Sequence, residues 1–299
     1  MRCPKDSLKF QVSSLRLRGF ISPFNLKPET LNLRRRAPRG VTLIEMIVVI
    51  AITGILAAAV AVFMRRPVEG YIDAARRAEL SDIADTALRR ITRDLRSALP
   101  NSIRVDPTER YIEYLQTSGG GRYRSDVDSS GGGNPLNFAA ADTSFNVIGP
   151  MPAIAAGDSI VIYNLNSDPA IPTANAYVGD NRAAGSGAGS TITLSPAPPS
   201  PFPFASPGKR FQVVQHPVTY ACEAGVLRRY WGYAISPAQP VPPVGGNSAL
   251  LATDVAACTF SYATAGSTAR IGVASVTLEI SQAGESVRLF QQVHVSNVP

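Results

Sequence analysis

Residues Val41–Met64 read VTLIEMIVVIAITGILAAAVAVFM, twenty-four positions with a single charge, Glu45. At about 1.5 Å per residue a helix of that length spans roughly 36 Å, enough to cross a hydrocarbon core of about 30 Å. Arg34, Arg35, Arg36 and Arg39 stand immediately before it. The positive-inside rule then keeps the N-terminal arm in the cytoplasm and exports the rest. Three readings compete for the run: a cleaved secretory signal with Ala57–Ala61 near its cleavage site, an ordinary single-pass anchor, and a retained helix with a further role. Glu45 favours the third. A carboxylate inside a membrane segment costs about 3 kcal/mol on insertion scales and usually has a partner.

Charge and composition fit this layout. The chain has 299 residues, 45% hydrophobic, and a net charge of +7. Ten Lys/Arg and two Asp/Glu precede position 41, while 19 basic and 20 acidic side chains follow it. The excess positive charge belongs to the arm, where a targeting segment explains the asymmetry better than a nucleic-acid-binding arm does.

Downstream, Leu80, Ile83, Ala84, Ala87, Leu88, Ile91, Leu95 and Leu99 recur at three- and four-residue steps, predicting an amphipathic helix over about 68–99. Arg89, Arg90, Arg93 and Arg96 form its polar side, a solvated face with Asp82, Asp85 and Asp94 for local pairing, or else a stripe for an anionic ligand. Pro100 and Asn101 end it. If Pro67 only kinks the chain, one helix runs from about 41 to 99. Beyond Ile103 short β-branched and aromatic runs predict strands at Tyr111–Leu115, Ser159–Asn164, Thr191–Leu194, Phe211–Val214, Val218–Ala221, Val226–Tyr230, Cys258–Tyr262, Val273–Ile280 and Val287–Val295. Ser118–Pro135, Gly185–Ser190, Pro196–Gly208 and Pro237–Gly246 read as turns. The predicted class is α+β: a long N-terminal helix, transmembrane in its first half and amphipathic in its second, packed on a mostly antiparallel β-sheet domain.

Chemistry-bearing motifs are sparse. Cys222 and Cys258, in the exported part, are expected to form a disulfide, with two buried thiols as the alternative. Cys3 lies in the arm. His216, before Pro217 in a predicted turn, and His294, in a strand, carry no metal spacing. Gly119–Gly121 lacks the Lys-Ser/Thr of a phosphate loop and reads as a flexible turn. Asp126, Asp128, Ser130 and Gly131 follow a D-x-D-x-S-G pattern, but Asn137 stands where an EF-hand has its bidentate Glu, so a solvated loop competes with a calcium site. Tyr230–Tyr233 (YWGY) is either core packing or an aromatic platform for sugars. No catalytic residue, metal ligand set or cofactor motif is found, and no enzymatic activity is expected.

Gly40-Val41-Thr42-Leu43-Ile44-Glu45, running straight into the apolar stretch, resembles the class III signal of type IV pilins and pseudopilins. RRITRDLRSALPNSIRV (Arg89–Val105) and HVSNVP (His294–Pro299) are similar to large minor pilins of the MshO type, from the mannose-sensitive haemagglutinin (MSHA) pilus, and of the PilW type. The likeness covers residues 36–99 well, while about 106–285 matches no motif. It implies cleavage by the prepilin peptidase between Gly40 and Val41, commonly with methylation of the new N-terminus. It also implies that Glu45 neutralises the N-terminal amine of a neighbouring subunit. The implied partners are other major and minor pilins, the peptidase, an inner-membrane assembly platform and membrane lipid, without nucleic acid. The implied layout is a basic leader over 1–40, a transmembrane assembly segment over 41–66, the amphipathic helix over 67–100 and a periplasmic β-rich domain over 101–299. Val41 replaces the more usual Phe or Met, and the leader is longer than is common. The large remaining chain points to a tip or priming role. The related expectations are a type II secretion minor pseudopilin, separated by gene neighbourhood, and a pilus-borne adhesin or ligand-binding module.

Overall fold

The computed structural model describes residues 40–299 apart from 197, 199 and 265–269. Residues 1–39, with Cys3, Arg34, Arg35, Arg36 and Arg39, lie outside the described residues. One helix, α1 (Leu43–Leu95), carries Pro67 inside it. Twelve strands follow: β1 (Arg104–Val105), β2 (Tyr111–Tyr123), β3 (Ser144–Ile148), β4 (Ser159–Ile162), β5 (Arg182–Ala188), β6 (Thr191–Leu194), β7 (Arg210–Glu223), β8 (Val226–Trp231), β9 (Asn247–Ala252), β10 (Val255–Thr264), β11 (Ile271–Gln282) and β12 (Glu285–Ser296). Two compact units divide at Val60 and Ala61. The first contains the apolar start of α1, with every described side chain exposed; the second contains the rest of α1 and all the strands.

In the second unit Leu80, Ala84, Ala87, Leu88, Ile91 and Leu95 make the buried stripe of α1. They pack on Ile112, Tyr114, Val218, Tyr220 and Leu227 from β2, β7 and β8, and on Phe260, Val276, Leu278, Val293 and Val295 from the β10-β11-β12 sheet. Each fully buried Leu or Ile contributes about 1.5–3 kcal/mol of gross transfer free energy. The helix ends at Leu95, where Ser97 and Ala98 close tighter i→i−3 bonds, four residues before the predicted stop. Cys222 on β7 and Cys258 on β10 are disulfide-bonded, Cα–Cα 6.0 Å, linking the two sheets.

All pairings among the strands are antiparallel. The larger sheet runs β1-β2-β3-β6-β5-β4-β7-β8-β9, and β2 also pairs β7. That extra pairing closes β2-β3-β6-β5-β4-β7 into a ring with its own core of Tyr123, Phe145, Ile160, Ile192, Leu194, Phe202, Phe211 and Val213. The two longest strands serve both layers. Their outer halves face α1 and their inner halves enter the ring; the handover falls where register shifts at Gln116/Thr117 and Thr117/Gly119. Such irregularities bend a strand and sharpen its twist.

Three predicted turns are strand instead. Gly119–Gly121 lies within β2, paired to Val213, Gln212 and Phe211. A Cβ on Gly120 would sit 2.6 Å from the Phe211 carbonyl oxygen, and one on Gly121 would sit 2.9 Å from the Phe211 ring. These glycines serve close backbone approach within the ring, not flexibility. His216 lies in β7 opposite Gln116, and Pro217 opposite Leu115. The adjacent irregularity admits a proline that a regular central ladder excludes. Gly185–Gly187, also read as turn, belongs to β5, while β3 and β9 fall where no strand is predicted.

Candidate processing and assembly segment

Gly40 is exposed, and a Cβ placed on it would meet no heavy atom within 4 Å. Packing within the described chain therefore does not require glycine there. Val41 follows, 66% exposed. Thr42 is the N-cap of α1: its carbonyl accepts the Met46 N–H at 3.2 Å, and its Oγ1 accepts the Glu45 N–H at 3.3 Å. Thr-x-x-Glu is the capping-box pattern, in which the hydroxyl satisfies one of the first orphan amides of a helix. Sequence reasoning treated Thr42–Glu45 as motif letters and missed this local role, though the three-residue spacing signals it. Glu45 occupies the first turn, where the helix dipole favours a carboxylate. Among the described residues it has no ion-pair partner.

The rest of this segment is apolar and exposed, from Leu43 through Met64. Thr53, the hydroxyl within it, donates to the Val49 carbonyl at 2.7 Å and so satisfies itself along the helix. By length and composition α1 is able to cross a membrane.

The other sequence candidates are built differently. Asp128 folds its carboxylate back onto the Ser130 N–H at 3.0 Å, the Ser130 hydroxyl at 2.6 Å and the Gly132 N–H at 2.8 Å. Those bonds hold its carboxyl below the usual carboxylate range. Asp126 accepts from Ser125. The loop is thus closed on itself, and among the described residues no group of three or more His, Cys, Asp or Glu is placed to hold a metal. His216 is half-buried, which together with Arg229 lowers its pKa; His294 is exposed on β12. The YWGY segment splits. Tyr233 is buried and bonded to Thr219 at 2.6 Å, Trp231 lies under Arg229 at 4.9 Å, and Tyr230 reaches Glu223. Those rings do not share one open face.

Two ionic groups, one half-buried and one fully buried, escaped the sequence reading. Asp94, taken for a surface partner, accepts from Tyr220 Oη at 2.7 Å and from Arg229 Nε at 3.0 Å, and pairs with Arg90 at 3.2 Å. It pins α1 to β7 and β8. Glu113 on β2 is fully buried and meets Arg104 at 3.0 Å, with Oε1 left without a hydrogen-bond partner among the described residues. Burial pushes its carboxyl up to about 7 against the opposing pull of Arg104. Arg104 also lies 3.6 Å over the Tyr177 ring and donates to the carbonyls of Ser236 and Pro237. Asp94 and Glu113 each tie one element to another, and both read as internal struts.

Comparison with curated proteins and with solved structures found no match. Residues 35–61 match the family model described as the prokaryotic N-terminal methylation motif. That span takes in Gly40, Val41, the Thr42 cap, Glu45 and the apolar start of α1. The chain carries the N-terminal methylation motif of type IV pilin-like proteins.

Proposed function

We propose that this chain is a minor pilin, made as a prepilin and held in the bacterial inner membrane by the apolar part of α1. In this reading residues 101–299 face the periplasm, and the prepilin peptidase cuts between Gly40 and Val41. The processed subunit is a structural, non-enzymatic component that enters or primes a type IV pilus of the MSHA kind. The observation that carries the reading is the junction: an exposed glycine without packing duties, one residue of spacer, then a capped helix whose first turn bears the only charge of the apolar run. A secretory signal needs none of these features, and its cleavage near Ala61 would discard the capped start of the helix. Glu45 acquires its partner when helices bundle: the ammonium of an adjacent, staggered subunit. The other major and minor pilins, the assembly platform and membrane lipid are the partners this requires.

Coexpression with a prepilin peptidase tests it. Intact-mass spectra are expected to show loss of residues 1–40, and Gly40→Leu is expected to block that loss by placing a branched side chain at the cleavage site. A cut near Ala61 overturns the reading in favour of a secretory signal.

A further inference from the structure

A long sheet edge stands open beside a basic helix face. β12 pairs β11 in unbroken register through all twelve positions, from Gln282↔Glu285 to Ile271↔Ser296. It ends its sheet, and among the described residues its far side carries no strand. At about 3.4 Å per residue this is roughly 40 Å of edge. Exposed edges are ordinarily blunted by shortness, bulges, proline, lysine or a covering segment. The other edges follow that rule. β1 has two residues and β9 has six, with a register shift against β8. β10 is bulged, and its Val255 and Phe260 amides donate to the Gly225 and Glu109 carbonyls. β12, ESVRLFQQVHVS, has no Pro, Gly, Lys or bulge; its charges are Glu285, paired with Arg77 of α1 at the strand's start, and Arg288.

The side chains around this edge state what would pair with it. Between β12 and α1 lies a hollow of about 330 Å³ lined by Asp85, Arg89, Thr92, Arg93, Arg96 and Gln291. Arg89 pairs with Asp85 at 2.6 Å, whereas Arg93 and Arg96 are exposed and have no acidic partner among the described residues. On the opposite face of the same strand Phe290 is 61% exposed. A strand laid against β12 alternates its side chains between those two surfaces. We infer that the β12 edge is a docking site for an extended, acidic segment of another protein, added as a fourth strand. Its acidic side chains face Arg89, Arg93 and Arg96, and its apolar ones lie beside Phe290. Main-chain bonds supply affinity and the alternating pattern supplies choice. A second copy of this edge is disfavoured, because it would bring two such basic hollows together. The inference does not depend on the pilin reading.

The test uses the full chain in detergent micelles and a fluorescent, N-acetylated octapeptide of alternating Glu and Val. Anisotropy is expected to show saturable binding that weakens with added salt. Hydrogen exchange is expected to slow at alternate amides within Glu285–Ser296. Arg93→Glu/Arg96→Glu, at exposed positions without partners, is expected to weaken binding about tenfold or more, as loss of two attractive Coulomb contacts and gain of two repulsive ones requires. The same peptide with alternate amides N-methylated is expected not to bind. Equal binding of an alternating Lys and Val peptide overturns the inference. So does binding of the Glu peptide without slowing on β12, which would place an acidic ligand on α1 alone, and so does absence of saturable binding up to about 1 mM.

Discussion

Glu113 makes the folded chain less stable as the pH rises through neutrality, in a way that can be isolated by one substitution. Its carboxyl has a folded-state pKa of about 7 against an ordinary 4.5. The cause is burial, only partly offset by Arg104 at 3.0 Å. A raised folded-state pKa means that the native state holds the proton more tightly than the unfolded chain does. The stabilisation is therefore complete below about pH 4.5 and is lost as pH rises to about 7. At about 1.4 kcal/mol per pH unit the loss is about 3 kcal/mol. Glu113→Gln keeps the volume and an oxygen for Arg104 but cannot titrate. The variant's own contribution at this site does not vary with pH, because its amide does not titrate and Arg104 stays protonated throughout. The readout is thus the difference between wild type and Glu113→Gln, which should change by about 3 kcal/mol in favour of the variant between pH 4 and pH 8. Urea unfolding of the full chain in micelles, followed by the fluorescence of its single tryptophan, Trp231, measures it. Parallel curves for the two proteins across that window would refute the reasoning.

Asp94→Ala is expected to cost about 3–5 kcal/mol in the same assay, because it leaves the Arg229 guanidinium buried without its carboxylate and Tyr220 without an acceptor; a loss under about 1 kcal/mol would relegate the group to the surface. Replacing Cys222 and Cys258 by Ser should lower stability by a few kcal/mol, with roughly 4 kcal/mol as the chain-entropy figure for the 36-residue separation. Peptide mapping without reductant should find both sulfurs blocked to alkylation. Glu45→Ala should still be cut and inserted, since the apolar run gains by losing a charge, yet fail to co-purify with other pilins. Pili assembled at wild-type number with the variant incorporated would dismiss the register role.

Both halves of α1 were readable in the sequence because they rest on local signals. Apolar length marked the first half of α1, and three- and four-residue spacing marked the second. Strand existence was legible wherever β-branched residues cluster, as in β6, β11 and β12. The closed ring was not, because it is made by one long-range pairing, β2 with β7, between segments about a hundred residues apart. Gly119–Gly121 and Pro217 carry turn chemistry by themselves; only the partner strand reveals that the glycines admit the Phe211 ring and backbone, and that a break in register admits the proline. The long-range partners of Asp94 and the burial of Glu113 were not legible for the same reason. A carboxylate at a helix flank or within IEYLQ has the same letter whether water or an arginine from another strand faces it.

At the junction the letters carry two roles at once. Thr42 and Glu45 form the cap that starts α1, so the proposed cut falls two residues before the first helical position. In the processed chain the new ammonium, the positive end of the helix dipole and the Glu45 carboxylate would then occupy the same end of the same helix. A single subunit already satisfies part of the carboxylate's electrostatic need within its own first turn. A neighbouring amine must therefore compete with the subunit's own helix end for Glu45, and the net gain on assembly is smaller than for an isolated buried charge pair. Losing the hydroxyl cap in Thr42→Ala costs about 1 kcal/mol of helix start. It should loosen the first turn without touching the charge. If register depends on Glu45 being held at a fixed height by that cap, Thr42→Ala should assemble less well while being processed normally. Assembly at wild-type levels would show that the carboxylate, and not its placement by Thr42, governs the step.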